Sequence, residues 1–436
     1  MINYITVIPL IGFIWFIVYF KNNHLNSFFT GLIFVSYLFF ATNYSNFGFS
    51  GDPFRYIHRL IGVILILIIL AHIVRYKINL FKDKVPIILS MFFIAIVLSY
   101  VGNDIYLPYY YHYARNFIFV SAIVLYLYYF IDSNEKLFEL FDLIIYLTLI
   151  VSFFTLIETF FLGYNSRVDL YFGNPNYLAI SLIPGFTISL FSSSKIFKVI
   201  SLLILFAIFC TGSRAAELAA IFSLSTYIYS KNFNKIFLVP ALIAAISLSF
   251  IFYDKIVINK DSSISRLAFA AITFNIFQEE PLNGIGYGQF RRDFHKYVDF
   301  EVFELKNHEV NESYIANNPT TPFLKTGIYN TMDEENIRFI KNEINKEKMT
   351  HNDLLTIISE LGLIGVLCVV FLFFKIYVEL KKLLLQHREY SYLSIALIGS
   401  SLIFSLFHNN MTSIMFWFVI FIPFILNRNY QKLDSK

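Results

Sequence analysis

Long apolar runs separated by short polar stretches set the rhythm of this chain. LIGVILILIILAHIV at 60–74 and VPIILSMFFIAIVLSYV at 85–101 are two of them. With their flanks they are long enough to cross the roughly 30 Å of hydrocarbon in a bilayer. They lack the alternation of barrel strands, and in lipid only helices or closed barrels satisfy the backbone, so the spans are expected to be helices. The pattern predicts about thirteen, at 2–20, 28–42, 60–74, 85–101, 117–131, 138–162, 177–191, 196–211, 215–230, 236–253, 354–374, 392–407 and 412–426.

Composition agrees with the pattern. Hydrophobic residues make up 57% of the chain and charged residues 15%, more apolar surface than a soluble domain can hide. The expectation is an all-α polytopic membrane protein. The run at 5–20 has no basic residue ahead of it and no small-residue cleavage site, so it reads as a retained span. Cys210 and Cys368 fall inside apolar runs and read as small core residues, with no disulfide or metal site.

Charge placement adds orientation. The connections at 75–84, 231–235 and 375–390 are basic, whereas alternate ones such as GNDIYLPYYYHYARN at 102–116 are not. The positive-inside rule then puts the C-terminus in the cytoplasm and, with thirteen spans, the N-terminus outside. One connection departs from the short-loop pattern. Residues 254–350 hold 27 of the chain's 64 charged residues, which marks them as a large extracytoplasmic loop between N-terminal spans (1–253) and C-terminal spans with a short cytoplasmic tail (351–436). Ile337, Ile340 and Ile344 recur at helical spacing, so part of the loop is expected to be an amphipathic helix. The net charge of +4 is small, and no nucleic-acid partner is expected.

Three stretches carry candidate chemistry. In TGSRAAELAAIF (211–222), Arg214 stands at a span end with Glu217 three residues on, on the same helical face. The two read either as a charge pair sealing the helix end or as a phosphate clamp, since guanidinium grips phosphate bidentately. In SSISRLAFAAITFNIFQEEPLNGIGYGQF (262–290), Arg266 opens an apolar helix ending at Pro281. Gly284, Gly286 and Gly288 follow, suited to tight turns or close backbone approach. A nucleotide loop is excluded, because the strand-then-helix context is missing. In HNDLLTIISELGLIGVLCVVFLFF (351–374), His351 and Asn352 stand at a span entrance. Glu360 lies roughly 13 Å further along the helix, and Gly362 and Gly365 would let a neighbouring helix approach. His351 by itself reads more readily as an interfacial anchor than as a catalyst, and Asn352 as a helix cap. GDPFRYIHR (51–59), GNPNYLA (173–179), with Asn176, and HNN (408–410) fall on the same expected face. Asp299 and Glu301 read as solvated loop acids rather than metal ligands.

TGSRAA, Arg266 followed by PLNGIGYG, and HNDLLTIISELGLIG together resemble the conserved blocks of the O-antigen ligase and O-antigen polymerase superfamily. His351, Asn352, Leu355, Glu360, Gly362 and Gly365 all match its last block, and the resemblance covers about residues 170–375. It implies a GT-C-like membrane glycosyltransferase in the bacterial cytoplasmic membrane. Such an enzyme moves a glycan, with inversion and without metal or other cofactor, from an undecaprenyl-diphosphate donor to an acceptor sugar outside. By that resemblance His351 is the base, with Asn352 orienting it or a sugar. Arg214 and Arg266 hold pyrophosphate. Glu217, Glu360, Gly284, Gly286, Gly362, Gly365 and Asn176 support the site. The implied partners are the lipid-linked donor, an acceptor (a lipid-linked repeat or lipid A core), membrane lipid and a chain-length regulator. Polymerase is slightly favoured over a ligase acting on lipid A core or protein. A transporter or flippase of lipid-linked sugars is the rival of another class, but it would gather polar residues at the midplane rather than at one face.

Overall fold

The computed structural model describes residues 83–162, 168, 170, 174–231, 260–297, 350, 352–411 and 413–434, together with Leu67 and Val74. All regular structure among them is helical. The helices are α1 (Lys84–Leu98), α2 (Leu107–Phe130), α3 (Asn134–Leu162), α4 (Pro175–Phe191), α5 (Lys195–Cys210), α6 (Arg214–Ser230) and α7 (Lys260–Glu279). A short α8 (Phe290–Asp293) and a 3-10 turn (Phe294–Tyr297) come next. The chain then forms α9 (Asp353–Gln386), α10 (Arg388–Ser405) and α11 (Ile414–Asp434). Each span expected among the described residues is occupied by a helix. The spans expected at 2–20, 28–42, 236–253 and most of 60–74 lie outside those residues, as do the amphipathic helix expected at 333–348 and the GDPFRYIHR loop.

Among the described residues, three helices are long and apolar enough to cross a membrane, within Tyr113–Phe130, Asn134–Phe161 and Asp353–Gln386. Burial explains how the apolar pattern is used. In α4 every residue from 178 to 190 is buried, and in α11 every residue from 414 to 427. Helices apolar all round belong inside a bundle. By contrast α9 exposes Leu363, Leu367, Val370 and Phe374, at helical spacing on one stripe. α5 does the same with Ile196, Val199, Leu202 and Phe206. Continuous exposed apolar stripes of this kind suit hydrocarbon rather than water. The described residues are all-helical, and these stripes mark the protein as a membrane protein.

Two helices differ most from their expected extents. α2 begins ten residues early, because Pro108 sits in its first turn, where a missing N–H costs nothing, and the Tyr-rich stretch continues the helix. α9 runs to Gln386, past the expected end at 374, since Ile376, Glu379 and Leu383 keep a buried face.

Contacts fix the directions. Lys231 at the end of α6 pairs with Glu389 at the start of α10 at 2.7 Å, so those helices are antiparallel. Thr187 bonds Ser223 at 2.9 Å, and one turn later Phe191 meets Tyr227, so α4 and α6 run parallel. Asn352 bonds the carbonyl of Leu406 at the far end of α10. One end of the bundle therefore gathers the starts of α4, α6 and α9 with the 406–411 turn. The opposite end holds buried Glu379, which pairs with Lys84 and also accepts from Asn427 at 2.7 Å. Lys382 lies 3.6 Å from the same carboxylate. The basic stretches read as cytoplasmic thus converge, where described, on that opposite end. Asp353 and Glu379 are 26 residues apart in α9 and mark opposite ends of the bundle.

Candidate functional site

α9 starts with a strong cap. Asn352 is extended, and its side-chain oxygen accepts from the N–H of Leu354 at 2.8 Å and of Leu355 at 3.1 Å. That satisfies two of the free N–H groups at a helix start. Its amide nitrogen donates to the Leu406 carbonyl at 2.8 Å. Next to it, Asp353 is buried and accepts from the backbone N–H of Asn410 at 2.8 Å and of Met411 at 3.0 Å. Thr350 and Thr356 share a hydroxyl contact, and Asn409 donates to Thr356 at 3.1 Å. The HN block and the HNN turn are therefore one hydrogen-bonded unit. Asn352, expected beside His351 as a catalytic residue, has both its side-chain oxygen and nitrogen engaged in building that unit. His351 itself lies outside the described residues.

Three turns into α9 the helix breaks. Gly362 has φ 58° and ψ −151°, a region that essentially only glycine occupies. The expectation was that Gly362 and Gly365 would admit a neighbouring helix. What comes close at Gly362 is instead the glycine block: a Cβ there would lie 2.6 Å from the Gly284 nitrogen and the Leu282 oxygen. Gly365 remains helical and packs against Leu361 and Ile357 of its own helix. The backbone groups freed by the break are not lost. Leu363 and Ile364 donate to the carbonyls of Pro281 and Leu282 at 2.8 and 3.1 Å. Ser359 and Glu360 carbonyls accept from Ile285 and Gly286 at 3.0 and 3.2 Å.

Glu360 completes the joint. Its carboxylate accepts from the N–H of Gly288 at 2.8 Å and of Phe290 at 3.1 Å, one oxygen for each. The other side of the glycine block is held by the α1–α2 connection. Asn103 donates to the Gly284 carbonyl at 2.8 Å, Tyr100 to the Tyr287 carbonyl at 2.6 Å, and Ser99 accepts from the Tyr287 N–H at 3.1 Å. Burial, then the nearby charge of Glu360, holds the Tyr287 phenol well above its usual pKa, so it remains a hydrogen-bond donor.

Between these parts lies a cavity of about 130 Å³. Tyr113, Tyr177 and Tyr287 reach it from α2, α4 and the glycine block. Arg291, Asn116 and Asn409 add polar groups, and Thr350, Asp353, Thr356 and Glu360 line the α9 side. The rings of Phe92, Phe117 and Trp417 form an aromatic part of the wall, with Trp417 at 5.3 Å from Phe92 and 6.0 Å from Phe117.

The expected site residues sort as follows. Glu360 and the glycine block meet directly, and Asn352 sits at the same end. Asn176 lies in the first turn of α4, its N–H capped by Asn174, beside cavity-lining Tyr177. Arg214 is the first residue of α6, at the same end of the bundle and exposed, while Glu217 is buried. Arg266 lies on α7, and its side chain is outside the described residues, as are Asp52, Asp299 and Glu301. Among the described residues no cluster of three metal-ligating side chains occurs.

Sequence reasoning missed Arg291 and Asp353. Arg291 directly follows the glycine block and faces the cavity, whereas Arg292 is turned outward to Asp293 at 2.6 Å and Asp104. The hydrogen bond to Asp293 holds the Arg292 guanidinium above its usual pKa. The RRD run was in view, but not which arginine would turn inward.

No curated protein matches the chain. Residues 199–317 match the family model described as O-antigen ligase. That segment contains TGSRAA and PLNGIGYG and ends before the HN block, and it bears out the resemblance of this chain to the O-antigen ligase and polymerase superfamily.

Proposed function

We propose that this protein is a membrane glycosyltransferase of the O-antigen polymerase type. It moves a glycan from an undecaprenyl-diphosphate donor to an acceptor sugar on the outer face of the bacterial cytoplasmic membrane. The observation that carries the reading is the match over 199–317, joined to a geometry in which the matched glycine block is bonded to the α9 break ten residues beyond the HN pair. The chemistry asked of the site is modest. The acceptor hydroxyl gives its proton to His351, whose intrinsic pKa suits a base near neutral pH. The oxygen attacks the anomeric carbon, and the bond to the lipid pyrophosphate breaks. Negative charge grows on that leaving group, and Arg214 and Arg266 stabilise it. Lipid-linked repeats serve as acceptors, and a chain-length regulator is the expected protein partner. The reaction needs no metal, because the guanidinium groups supply the positive charge.

The test is transfer from a lipid-linked donor by purified protein. His351→Ala should lower the rate about a hundredfold to ten-thousandfold, the usual contribution of a general base. It should leave donor binding and size-exclusion behaviour unchanged. Near-normal transfer by well-folded His351→Ala protein would overturn this assignment of the base. Suspicion would then pass to His408, which is buried against Phe404 at the same end of the bundle.

A further inference from the structure

Asn352 is not free to orient the base. Its side-chain oxygen already accepts two backbone N–H groups, and its nitrogen donates to the Leu406 carbonyl. A neutral imidazole acts as a base through one nitrogen while the other keeps its proton, and the hydrogen bond made by that second nitrogen decides which is which. A base at position 351 therefore needs an acceptor from elsewhere in the fold. We infer that this acceptor is Asn409 Oδ1, which makes Asn409 a positioning residue for His351; the inference rests on the functional reading above.

Three observations carry it. The first is an unmet bond. Among the described residues of 350–360 and 405–411, Asn409 Oδ1 is the one buried side-chain acceptor without a hydrogen-bond donor. Leaving such a group unpaired costs about 1–3 kcal/mol, and an oxygen shut off from solvent takes its donor from the protein rather than from bulk water. The second is the orientation of the amide, which the surrounding network assigns. The hydroxyls of Thr350 and Thr356 touch each other and lie 2.9 and 3.0 Å from the Asn352 carbonyl. Their protons are directed there, so Thr356 offers Asn409 a lone pair. The Asn409 nitrogen donates to it at 3.1 Å, and the oxygen is the end left over.

The third is placement. Residue 351 stands between Thr350 and Asn352 in the chain, and both neighbours are tied to the same Thr356 hydroxyl that holds Asn409. The turn that carries Asn409 is itself fixed. Asp353 accepts from the N–H groups of Asn410 and Met411, and Trp417 donates to the Met411 carbonyl at 2.7 Å. A group held in this way is in position before substrate arrives, which is what an orienting residue needs. With Asn409 accepting from one ring N–H, the other ring nitrogen presents its lone pair to the acceptor hydroxyl and takes its proton.

The test is the pH dependence of glycan transfer by Asn409→Leu and Asn409→Asp, each alone and combined with His351→Ala. Asn409→Leu keeps the bulk and removes the acceptor, so kcat should fall about tenfold while KM for the donor stays unchanged. Asn409→Asp keeps an oxygen for the imidazole, and the Thr356 hydroxyl can turn to donate to it. Its added charge favours imidazolium, which cannot act as a base, so the acid limb of the profile should move about one pH unit higher. Asp353 and Glu360 of α9, His408 of the turn, Tyr177 of α4 and Arg291 are the other titratable groups described near this site. All are unchanged in both variants, so the shift reports on position 409. In the His351→Ala background neither substitution should lower the residual rate further, as expected of residues that act as a unit. An unmoved acid limb in Asn409→Asp would overturn the inference, as would an Asn409→Leu loss that multiplies with that of His351→Ala. If Asn409→Leu fails to fold, the Asn409→Asp profile decides alone. A full His351→Ala effect with an unmoved limb removes the role of Asn409 and keeps the base, whereas His351→Ala without effect removes the base itself.

Discussion

Replacing Gly362 by alanine should be among the most damaging single-methyl changes in this protein, and its cost can be worked from two parts. The first is conformational. With φ 58° and ψ −151°, residue 362 lies in a region where an L side chain costs about 1–3 kcal/mol. The second is steric. The added Cβ would lie 2.6 Å from both the Gly284 nitrogen and the Leu282 oxygen. Both are backbone atoms held by hydrogen bonds, the Gly284 N–H donating to the Glu280 carbonyl and the Leu282 carbonyl accepting from Ile364, so they cannot yield as a flexible side chain would. Overpacking of this kind typically costs about 1–3 kcal/mol more. The total is about 2–6 kcal/mol. Gly102→Ala isolates the first part, because Gly102 has φ +84° with nothing within 4 Å of an added Cβ. Thermal midpoints of both variants in one detergent would give the comparison, with glycan transfer measured alongside. Gly362→Ala should lose markedly more stability than Gly102→Ala, and transfer should fall with it. Equal losses would refute the claim that contact with the glycine block, rather than backbone angle alone, fixes residue 362.

Three other changes probe the same architecture. Glu360→Ala strips acceptors from the buried N–H groups of Gly288 and Phe290, at about 1–3 kcal/mol each, so its thermal midpoint should fall, while Glu360→Gln should recover part of the loss. Asn352→Ala should cost about 1 kcal/mol through the lost cap, and Asn352→Asp, which keeps the cap but not the donor to Leu406, should lie between that variant and the parent; a rate loss with no stability change would instead make Asn352 a catalytic residue. A reporter active only outside the cytoplasm should be active when fused at Asn317 and silent near Lys381, and the reverse pattern would reverse the orientation of the site.

The sequence made the helices legible because α4, α9 and α11 are apolar runs whose length the bilayer itself sets. It also showed that Glu360 was buried, since an acid inside such a run has nowhere polar to point except into protein. The break at Gly362 was not legible. Its partner, Pro281–Leu282, lies some eighty residues earlier, and local periodicity describes only a continuous helix. The same holds for Asp353, whose ligands are the backbone N–H groups of Asn410 and Met411 and so leave no trace in side-chain patterning. The HNN turn was visible as a polar cluster on the expected face, but its attachment to the HN block depends on α10 returning to that end of the bundle. Arg291 and Arg292 are adjacent and chemically identical, and only the turn of α8 decides which one reaches the cavity.

The discontinuity in α9 also bears on how the protein is made. A nascent segment 353–386 entering lipid alone would leave the N–H groups of Leu363 and Ile364 and the carbonyls of Ser359 and Glu360 without partners if it were already broken, and hydrocarbon penalises each of them by several kcal/mol. A straight helix is the state the isolated segment can afford. The glycine block is synthesised first and waits for α9, so the bend arises when the two dock, late in maturation. A protein that has inserted all its spans but not made that junction would have every helix and no working site.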